Sequence, residues 1–274
     1  MVARATLPGF GLTLGLTLAY LGVIVWLPLL ALAAKTAGLG ADGFLAAAMS
    51  PRTLSAFRVS FGIALIAAAF DAALGLLVAW VLVRYRFPGR RFLDALIDLP
   101  FALPTAVAGI TLASLYADTG WIGGLLEPLG LQVAFTPYGI FVALVFVGFP
   151  FVVRTVQPML LDLEADVEEA ALTLGASRFQ IFRRVILPAL LPGLLAGTAL
   201  AFARAVGEYG SVIFIAGNMP GVSEIVPLLI IIKLEGFDYA GAAAIAVVML
   251  AASLAILLVI NALQAWVRHI HGDG

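Results

Sequence analysis

Apolar runs of membrane-spanning length are the feature that most constrains the fold of this chain. A helix that crosses a bilayer needs about 20 mainly apolar residues, at about 1.5 Å of rise per residue. Six stretches of the 274 residues meet this requirement, at positions 10–34, 59–83, 97–117, 137–153, 190–216 and 240–267. The sequence therefore predicts an all-α integral membrane protein, with six transmembrane helices in a single domain over residues 1–274 and the lipid bilayer as its surroundings.

Composition supports this class and excludes others. With 63% hydrophobic residues, 11% charged residues and a mean hydropathy of +1.13, the chain does not have the composition of a soluble globular domain. A net charge of −1 gives no case for a nucleic-acid partner. Neither Lys35 nor Lys233 follows a glycine-rich phosphate loop, so any ATP hydrolysis must take place on another chain. With no cysteine and with His269 and His271 lacking a third ligand, no catalytic residue, metal site or cofactor is expected here.

The distribution of basic residues predicts the orientation, because lysine and arginine are retained on the cytoplasmic side of a membrane. Ten basic residues lie at the termini, between the second and third spans, or between the fourth and fifth, whereas four lie in the other connections. The ten are Arg4, Arg84, Arg86, Arg90, Arg91, Arg154, Arg178, Arg183, Arg184 and Arg268. Both termini are therefore predicted to be cytoplasmic, in a multi-pass protein of a bacterial inner membrane.

The first span also has features of a secretory signal peptide, because Arg4 precedes an apolar run that ends in small residues. Its length of about 24 residues exceeds the 7–15 residues of a signal core, so an uncleaved first helix is favoured.

The connection at positions 158–188 is a charged island between two apolar spans. Asp166 with Glu169, and Ser177 with Gln180, have the spacing of a capping box, in which side chains satisfy the free amides of a helix start. Gly175 lies between the two pairs, where a residue that tolerates positive φ can end a helix. The connection is predicted to form two short helices joined at Gly175.

The second of these helices is predicted to be amphipathic. Phe179, Phe182, Val185 and Ile186 fall on one stripe at helical spacing, while the polar side chains point elsewhere.

The same connection carries a family motif. Its pattern is Glu169-Ala170-Ala171, three residues, Gly175, nine residues, Val185, one residue and Leu187-Pro188. This pattern closely resembles the EAA loop of the permeases of ABC importers, with Val185 in place of the commoner isoleucine. In that family the loop is cytoplasmic and docks into a cleft on the ATP-hydrolysing subunit. The resemblance implies an ATPase-coupling role for eight residues: Glu168, Glu169, Ala170, Ala171, Gly175, Ala176, Leu187 and Pro188.

The third span contains two prolines four residues apart, Pro100 and Pro104, just after Asp98. Each removes an amide donor and clashes with the preceding turn, and irregular backbone at membrane depth persists only inside protein or beside a watery cavity. The segment is predicted to be a kinked helix near a translocation pathway. A purely structural use of the proline pair is the alternative.

The fifth span carries Arg204 near its middle and Glu208 one helical turn later. A charge at the centre of a bilayer costs about 2.5 to 3.5 kcal/mol, so such residues generally pair or face the bundle interior. The two can pair with each other, and Asp71 in the second span is another possible partner for Arg204. Two roles remain open: a charge that steers an anion, or an ion pair that fixes helix register.

Small residues on the fifth span predict two faces for close helix packing. They are Gly193 with Gly197, and Ala203 with Gly207.

A second set of segments narrows the resemblance. The segments are RYRFPGR at 84–90, DLPFALPTAVAG at 98–109, FVVRTVQP at 151–158, GEYG at 207–210 and FIAGN at 214–218. They look like the corresponding segments of the T subunits of bacterial sulfate/thiosulfate ABC importers. This resemblance implies a MetI-like type I importer that translocates sulfate or thiosulfate. It also implies two ATPase subunits that bind ATP and Mg²⁺, a second homologous permease and a periplasmic sulfate/thiosulfate-binding protein.

Three other functions compete with this one. A molybdate or tungstate permease shares the EAA loop and a segment similar to 204–210, but matches 98–109 less well. A secondary transporter would need no ATPase and would show an internal repeat, which is not evident. A membrane-embedded hydrolase would need a nucleophile and base at membrane depth, and Asp71, Asp98, Arg204 and Glu208 do not supply that set.

Overall fold

The computed structural model describes residues 10–272, and the side chains of all of these except Ala165 and 263–272. Every regular element in this range is a helix. The helices, in chain order, are α1 Phe10–Ala37, α2 Gly40–Ala48, α3 Pro51–Arg84, α4 Arg90–Ile97, α5 Leu99–Ala102, α6 Thr105–Tyr116, α7 Gly123–Leu126, α8 Pro137–Asp162, α9 Ala165–Thr173, α10 Arg178–Val206, α11 Val212–Ile215, α12 Val226–Glu235 and α13 Tyr239–Gly272.

Five of the helices in the described range are long and apolar enough to cross a membrane. They are α1, α3, α8, α10 and the part of α13 up to Ala262. The apolar runs therefore predicted an all-α membrane protein correctly. Arg4 and the side chain of Arg268, which the orientation argument used, lie outside the described residues.

The third predicted span, 97–117, is not one helix. The backbone forms α4, the four-residue α5 and the 12-residue α6 in succession. Leu103 is extended, at φ −86° and ψ 135°, because the ring of Pro104 excludes the helical conformation from the residue before it. The proline pair therefore produces a complete break between α5 and α6, where the sequence analysis predicted only a kink.

Other helix ends also differ from prediction. The second span begins at Pro51, so α3 has 34 residues. The fourth continues to Asp162 although Pro150 and Pro158 lie inside it. The fifth was predicted to end at 216, but α10 ends at Val206 and the chain makes a turn before the short α11.

The described chain divides into two compact units. One contains residues 10–50 and Ile230–Val248. Within it, no residue of α1 is buried, and Lys233 forms a salt bridge of 2.7 Å with Asp238.

The other unit contains residues 51–229 and 249–272, and its core is formed by α3, α8 and α10. Small residues allow these helices to pack closely. A Cβ atom at Gly197 would lie 2.9 Å from Val152 Cα, and one at Gly75 would lie 2.7 Å from Val152 Cγ1. The predicted Gly193/Gly197 face is thus confirmed, whereas Ala203 and Gly207 are both exposed in this chain, so a packing role for that face stays a prediction.

Candidate coupling and translocation sites

The connection at 158–188 forms a helical hairpin that turns at Gly175. Gly175 has φ +81°, in the left-handed region that favours glycine. Its amide donates to the Leu172 carbonyl at 2.9 Å, and the Ala176 amide donates to the Ala171 carbonyl at 3.1 Å. This pair of bonds is the Schellman motif, which satisfies the last carbonyls of a helix. The predicted helix end at Gly175 is confirmed.

One of the two predicted capping boxes is present. The Gln180 amide donates to Ser177 Oγ at 3.3 Å, and the Ser177 amide donates to the Gln180 side chain at 2.8 Å. The other is wrong: α9 begins after Glu164, which makes no side-chain capping bond, and Asp166 lies inside the first turn. There Asp166 and Glu168 face the positive end of the helix dipole instead.

The tip of the hairpin exposes apolar side chains. Leu174 is 88% exposed and Phe179 is 69% exposed. Of the predicted apolar stripe, Ile186 is buried as expected, but Phe179 is not, and Ile181, which was not predicted, is buried instead. A Cβ atom at Gly175 would meet no atom within 4 Å. The tip is therefore an open apolar surface of the kind that binds a partner protein. Leu174 was not predicted to belong to it, because no helical periodicity includes this residue.

Contacts at its base attach the hairpin to the end of α3. Arg84 forms a salt bridge with Glu168 and lies over the Trp80 ring, with 5.2 Å between the guanidinium carbon and the ring centroid. The Trp80 ring meets Phe182 edge-on at 5.8 Å between centroids. A displacement of the hairpin would therefore act directly on α3.

Leu187 and Pro188 lie where the hairpin continues into the long part of α10. Both are partly buried. A π-helical turn at Phe182–Ile186 precedes them. This wider turn accommodates Pro188, which has no amide to donate to the preceding turn.

Asp98 belongs to an ion-pair cluster around Arg154. Arg154 donates from Nε and Nη2 to the two Asp98 carboxylate oxygens, at 2.8 and 2.7 Å, and from Nη1 to Asp94 Oδ1 at 2.7 Å. It also donates to the side-chain oxygen of Gln157 at 2.6 Å and to the Asp94 carbonyl at 2.7 Å. The cluster fixes α4 against α8. Asp98 was predicted to lie near a translocation pathway, and its pairing with Arg154 was not predicted.

The surroundings of Asp94 favour its charged form. The Gln157 amide donates to the carboxylate at 3.1 Å, and the Arg154 guanidinium donates at 2.7 Å. These hydrogen bonds hold the pKa of Asp94 below its ordinary value, and they outweigh the opposite effect of its partial burial.

Arg204 and Glu208 form the predicted ion pair, but not at mid-span. Arg204 lies in the last turn of α10 and Glu208 lies beyond its end. Glu208 is buried, and its Oε1 accepts hydrogen bonds from the amide and the hydroxyl of Ser211, both at 2.8 Å. The position of Arg204 is favourable because the end of a helix carries partial negative charge. The arginine is about one-third exposed, so one side of the pair remains accessible.

Asp71 is not the partner of Arg204. It is buried against Gly148, where a Cβ atom would overlap its carboxylate. Its Oδ1 has no hydrogen-bond partner among the described residues.

The turn that carries Glu208 packs against the start of α6. A Cβ atom at Gly109 would overlap the Ser211 carbonyl oxygen, and one at Gly210 would overlap Thr105 Oγ1. The break at Pro104 and the turn after α10 are thus neighbours, and two pathway candidates that are far apart in sequence, Pro104 and Glu208, belong to one region. Pro100 lies elsewhere, on an apolar groove between α3 and α8.

A membrane bundle with an exposed glycine-centred hairpin is the architecture of an ABC-importer permease, and comparison with solved structures agrees. The chain superposes with a TM-score of 0.76 on a bacterial ABC transporter involved in the import of alginate, at 16% identity, with 94% of this chain and 96% of that chain covered. It superposes with a TM-score of 0.59 on the inward-facing methionine transporter MetNI, at 20% identity, with 80% and 97% covered. The fold is that of MetI-like importer permeases.

Residues 71–269 match the family described as binding-protein-dependent transport system inner membrane component, and the chain belongs to this family. It is 54% identical to the probable sulfate transport system permease protein cysT of Nephroselmis olivacea, over 91% of this chain and 88% of the relative. It is 51% identical to CysT of Synechocystis, over 94% and 90%, and 50% identical to CysT of Escherichia coli K12, over 96% and 95%.

Proposed function

We propose that this chain is the transmembrane subunit of an ATP-driven ABC importer that carries sulfate across the cytoplasmic membrane. The observation that supports this function most strongly is an identity of 50–54% to sulfate permeases over more than nine-tenths of the chain. These relatives favour sulfate over molybdate or tungstate. Thiosulfate, which the sequence resemblance also implied, is the second anion to test.

The complete importer contains two ATPase subunits, a second permease and a periplasmic sulfate/thiosulfate-binding protein. The apolar tip of the hairpin, with Leu174 and Phe179 exposed, supports a protein partner at that site. A solved neighbour of the same fold is an alginate transporter in complex with a periplasmic protein that holds an alginate pentasaccharide. ATP and Mg²⁺ bind to the ATPase subunits, and this chain supplies no catalytic residue, cofactor or metal.

Coupling begins at the hairpin, which faces the cytoplasm in this proposal. Closure of the ATPase dimer on ATP moves the two hairpins of the paired permeases together, and hydrolysis releases them. Glu169, Ala170 and Ala171 face the partner cleft, and Gly175 supplies the bend. Two connections carry the motion onward: the contacts of Arg84 with Glu168 and of Trp80 with Phe182 act on α3, and the unbroken backbone from Ser177 into α10 acts on the bundle core.

Translocation takes place beside the break at Pro104 and the turn that carries Glu208. Arg204 offers the anion a partly exposed guanidinium, and Glu208 compensates its charge. An uncompensated arginine in a low-dielectric passage would hold a dianion tightly and slow its release. Because Glu208 offsets part of its charge, Arg204 can bind the anion weakly enough to release it. The ion pair also keeps the end of α10 in place.

Uptake of labelled sulfate in a strain that lacks its own sulfate permease subunits tests the substrate. The strain expresses this chain with its partner permease, ATPase and binding protein. We expect sulfate uptake that depends on the ATPase and that an equal concentration of molybdate does not inhibit. Molybdate uptake without sulfate uptake, at normal levels of this chain in the membrane, would contradict the proposal, as would uptake without the ATPase.

A further inference from the structure

An apolar groove of about 600 Å³ runs along the surface of the larger unit, between α3, α4, α6 and α8. All of its lining residues are apolar except Tyr116. Leu77 and Val145 contribute to its walls, Phe87 lies at the end nearest α4, and Tyr116 lies at the C-terminal end of α6. Its volume is in the range of sites that bind small molecules, about 300 to 1,000 Å³.

A cluster of arginines lies at the Phe87 end of this groove. Arg86, Arg90 and Arg91 line a second pocket together with Phe87 and Phe92. None of the three arginines forms a salt bridge with any described residue, although Arg90 lies near enough to Asp94 to contribute to the lowering of its pKa. Phe87 lines both the apolar groove and the arginine pocket, so the two spaces are adjacent parts of one site.

The helix α4, which contributes residues to both spaces, has the amphipathic character of a helix that lies at a membrane surface. On α4 the apolar residues Phe92, Leu93 and Leu96 are exposed, with Phe92 at 68%, and Arg90 and Arg91 open the same helix. A short amphipathic helix of this kind lies at the boundary between headgroups and acyl chains. The left-handed turn at Gly89, with φ +85°, places this helix directly after the end of α3.

We propose that this groove and arginine pocket form a binding site for one anionic phospholipid of the leaflet at this end of α3. An acyl chain occupies the apolar groove along Leu77 and Val145, and the phosphate of the headgroup pairs with Arg86, Arg90 and Arg91. Charge complementarity identifies the occupant, because three arginines that form no salt bridge with described residues lie beside an apolar groove, and they match a ligand with a phosphate at one end and hydrocarbon at the other. The inference is independent of which anion the importer carries.

A second apolar groove in the same unit provides an internal comparison. It has a volume of about 200 Å³, lies between α3, α10 and α13, and is lined by residues that include Leu65, Phe202 and Ile256. No charged residue lines it. It therefore offers hydrocarbon contact without headgroup selectivity.

Native mass spectrometry of the whole importer tests the site, with retained lipid counted per copy of this chain. The probes are phosphatidylglycerol and the zwitterionic phosphatidylcholine, presented in separate titrations. We expect one phosphatidylglycerol to be retained, with at least tenfold preference over phosphatidylcholine. Each of Arg86→Gln, Arg90→Gln and Arg91→Gln should reduce retention about fivefold, from the contribution of one basic residue at a membrane surface. The double variant Arg183→Gln/Arg184→Gln removes two charges outside the pocket and should leave retention unchanged.

The groove is tested separately from the arginines. Val145→Trp narrows it and should abolish retention of phosphatidylglycerol, whereas Leu65→Trp, which fills the second groove, should not. Equal retention of the two lipids, or full retention by the three arginine variants, would overturn the proposal. So would displacement of the lipid by inorganic phosphate, which would indicate a site for a free anion, or a crosslink from Leu77→Cys to the second permease, which would show that protein covers the groove.

Discussion

At the scale of single residues, the larger unit depends on positions where no side chain fits. Gly109 lies against the backbone of Ser211, and Gly148 lies against the Asp71 carboxylate. These glycines are not needed for an unusual φ; they are needed because another segment occupies the space of a Cβ atom. A Cβ atom at Gly207 would meet no other atom within 4 Å. Glycine content alone therefore does not show at which positions a side chain would be excluded.

Gly109→Ala should destabilise the importer by about 1 to 3 kcal/mol, the usual cost of overpacking a filled site. The added methyl group overlaps the Ser211 carbonyl, which the chain cannot move without disturbing the hydrogen bonds of Ser211 to Glu208. The measurement is the apparent melting temperature of the purified importer. Gly207→Ala is the matched control and should be close to neutral. Equal melting temperatures for the two variants would show that α6 and the turn after α10 are not in contact.

The Asp94 carboxylate should make the link between α4 and α8 sensitive to acid. Its pKa is lowered in the folded state, so its stabilising contribution is complete above its unfolded pKa of about 3.9 and is lost as the pH falls through the lower folded pKa. At pH 7 the free energy of unfolding of wild type should therefore exceed that of Asp94→Asn by less than about 1 kcal/mol, because the pair is partly exposed. The measurement is the difference in apparent melting temperature between the two proteins. This difference should close below about pH 4. The control is Asp118→Asn, at an exposed carboxylate in a turn that has no ion pair to described residues, and it should melt with wild type at pH 7.

At the scale of elements, the hairpin between α8 and α10 combines local and distant interactions. Its turn is closed by hydrogen bonds among Ala171, Leu172, Gly175 and Ala176. Its attachment to the bundle comes from Arg84 and Trp80, almost a hundred residues earlier. The shape of the turn therefore depends on local hydrogen bonds, whereas the position of the hairpin on the bundle depends on Arg84 and Trp80.

Gly175→Pro should uncouple ATP hydrolysis from sulfate uptake while the chain still inserts, because proline cannot adopt φ +81° or donate the bond to Leu172. The readouts are sulfate uptake, ATPase activity and the amount of this chain in the membrane. Gly130→Pro is a close control, since Gly130 has φ +70° and its amide donates over 2.9 Å to the carbonyl three residues earlier. We expect Gly130→Pro to retain coupling. Normal uptake by Gly175→Pro at normal protein level would exclude the hairpin as the coupling element.

A bulky residue at Ala170 should have the same uncoupling effect as Gly175→Pro, for a different reason. Ala170 is exposed on α9, so Ala170→Trp leaves the fold intact but obstructs the close approach of the ATPase cleft. The measurement is co-purification of the ATPase subunit with this chain. Full co-purification together with full uptake would show that Ala170 lies outside the contact.

At the scale of the whole molecule, orientation in the membrane decides whether the hairpin can meet an ATPase. The positive-inside rule predicts that the hairpin, Arg86, Arg90 and Arg91 lie on the cytoplasmic side. The same rule predicts that the connection containing Trp121 lies on the opposite side.

Single cysteines should report this orientation directly, because the chain has no native cysteine. Leu174 and Trp121 are matched positions, at 88% and 87% exposed. A membrane-impermeant maleimide should label Trp121→Cys in intact cells and Leu174→Cys only after the membrane is opened. Labelling of Leu174→Cys in intact cells would place the hairpin outside and would remove the basis for ATP-driven transport.

Much of the architecture follows from the sequence because it depends on interactions that are local in the chain. Apolar runs identified all five helices of membrane-spanning length in the described range, since hydrocarbon solvation depends only on the composition of a segment. Gly175 and the Ser177/Gln180 capping box determined the hairpin, since each acts within five residues. Pro104 required a break in the third span, although its extent was visible only in the structure.

The tertiary structure alone decided which charged groups meet. Desolvation requires partners for charges near the membrane, but it does not specify them. Arg154 pairs with Asp94 and Asp98, about 60 residues away in sequence, and Arg84 pairs with Glu168, 84 residues away. The spacing of Arg204 and Glu208 predicted their pairing correctly but not their location, because they lie at a helix end and not at mid-span. The sequence there is apolar enough to continue the helix, but Ser211 packs against Gly109 and the chain makes a turn.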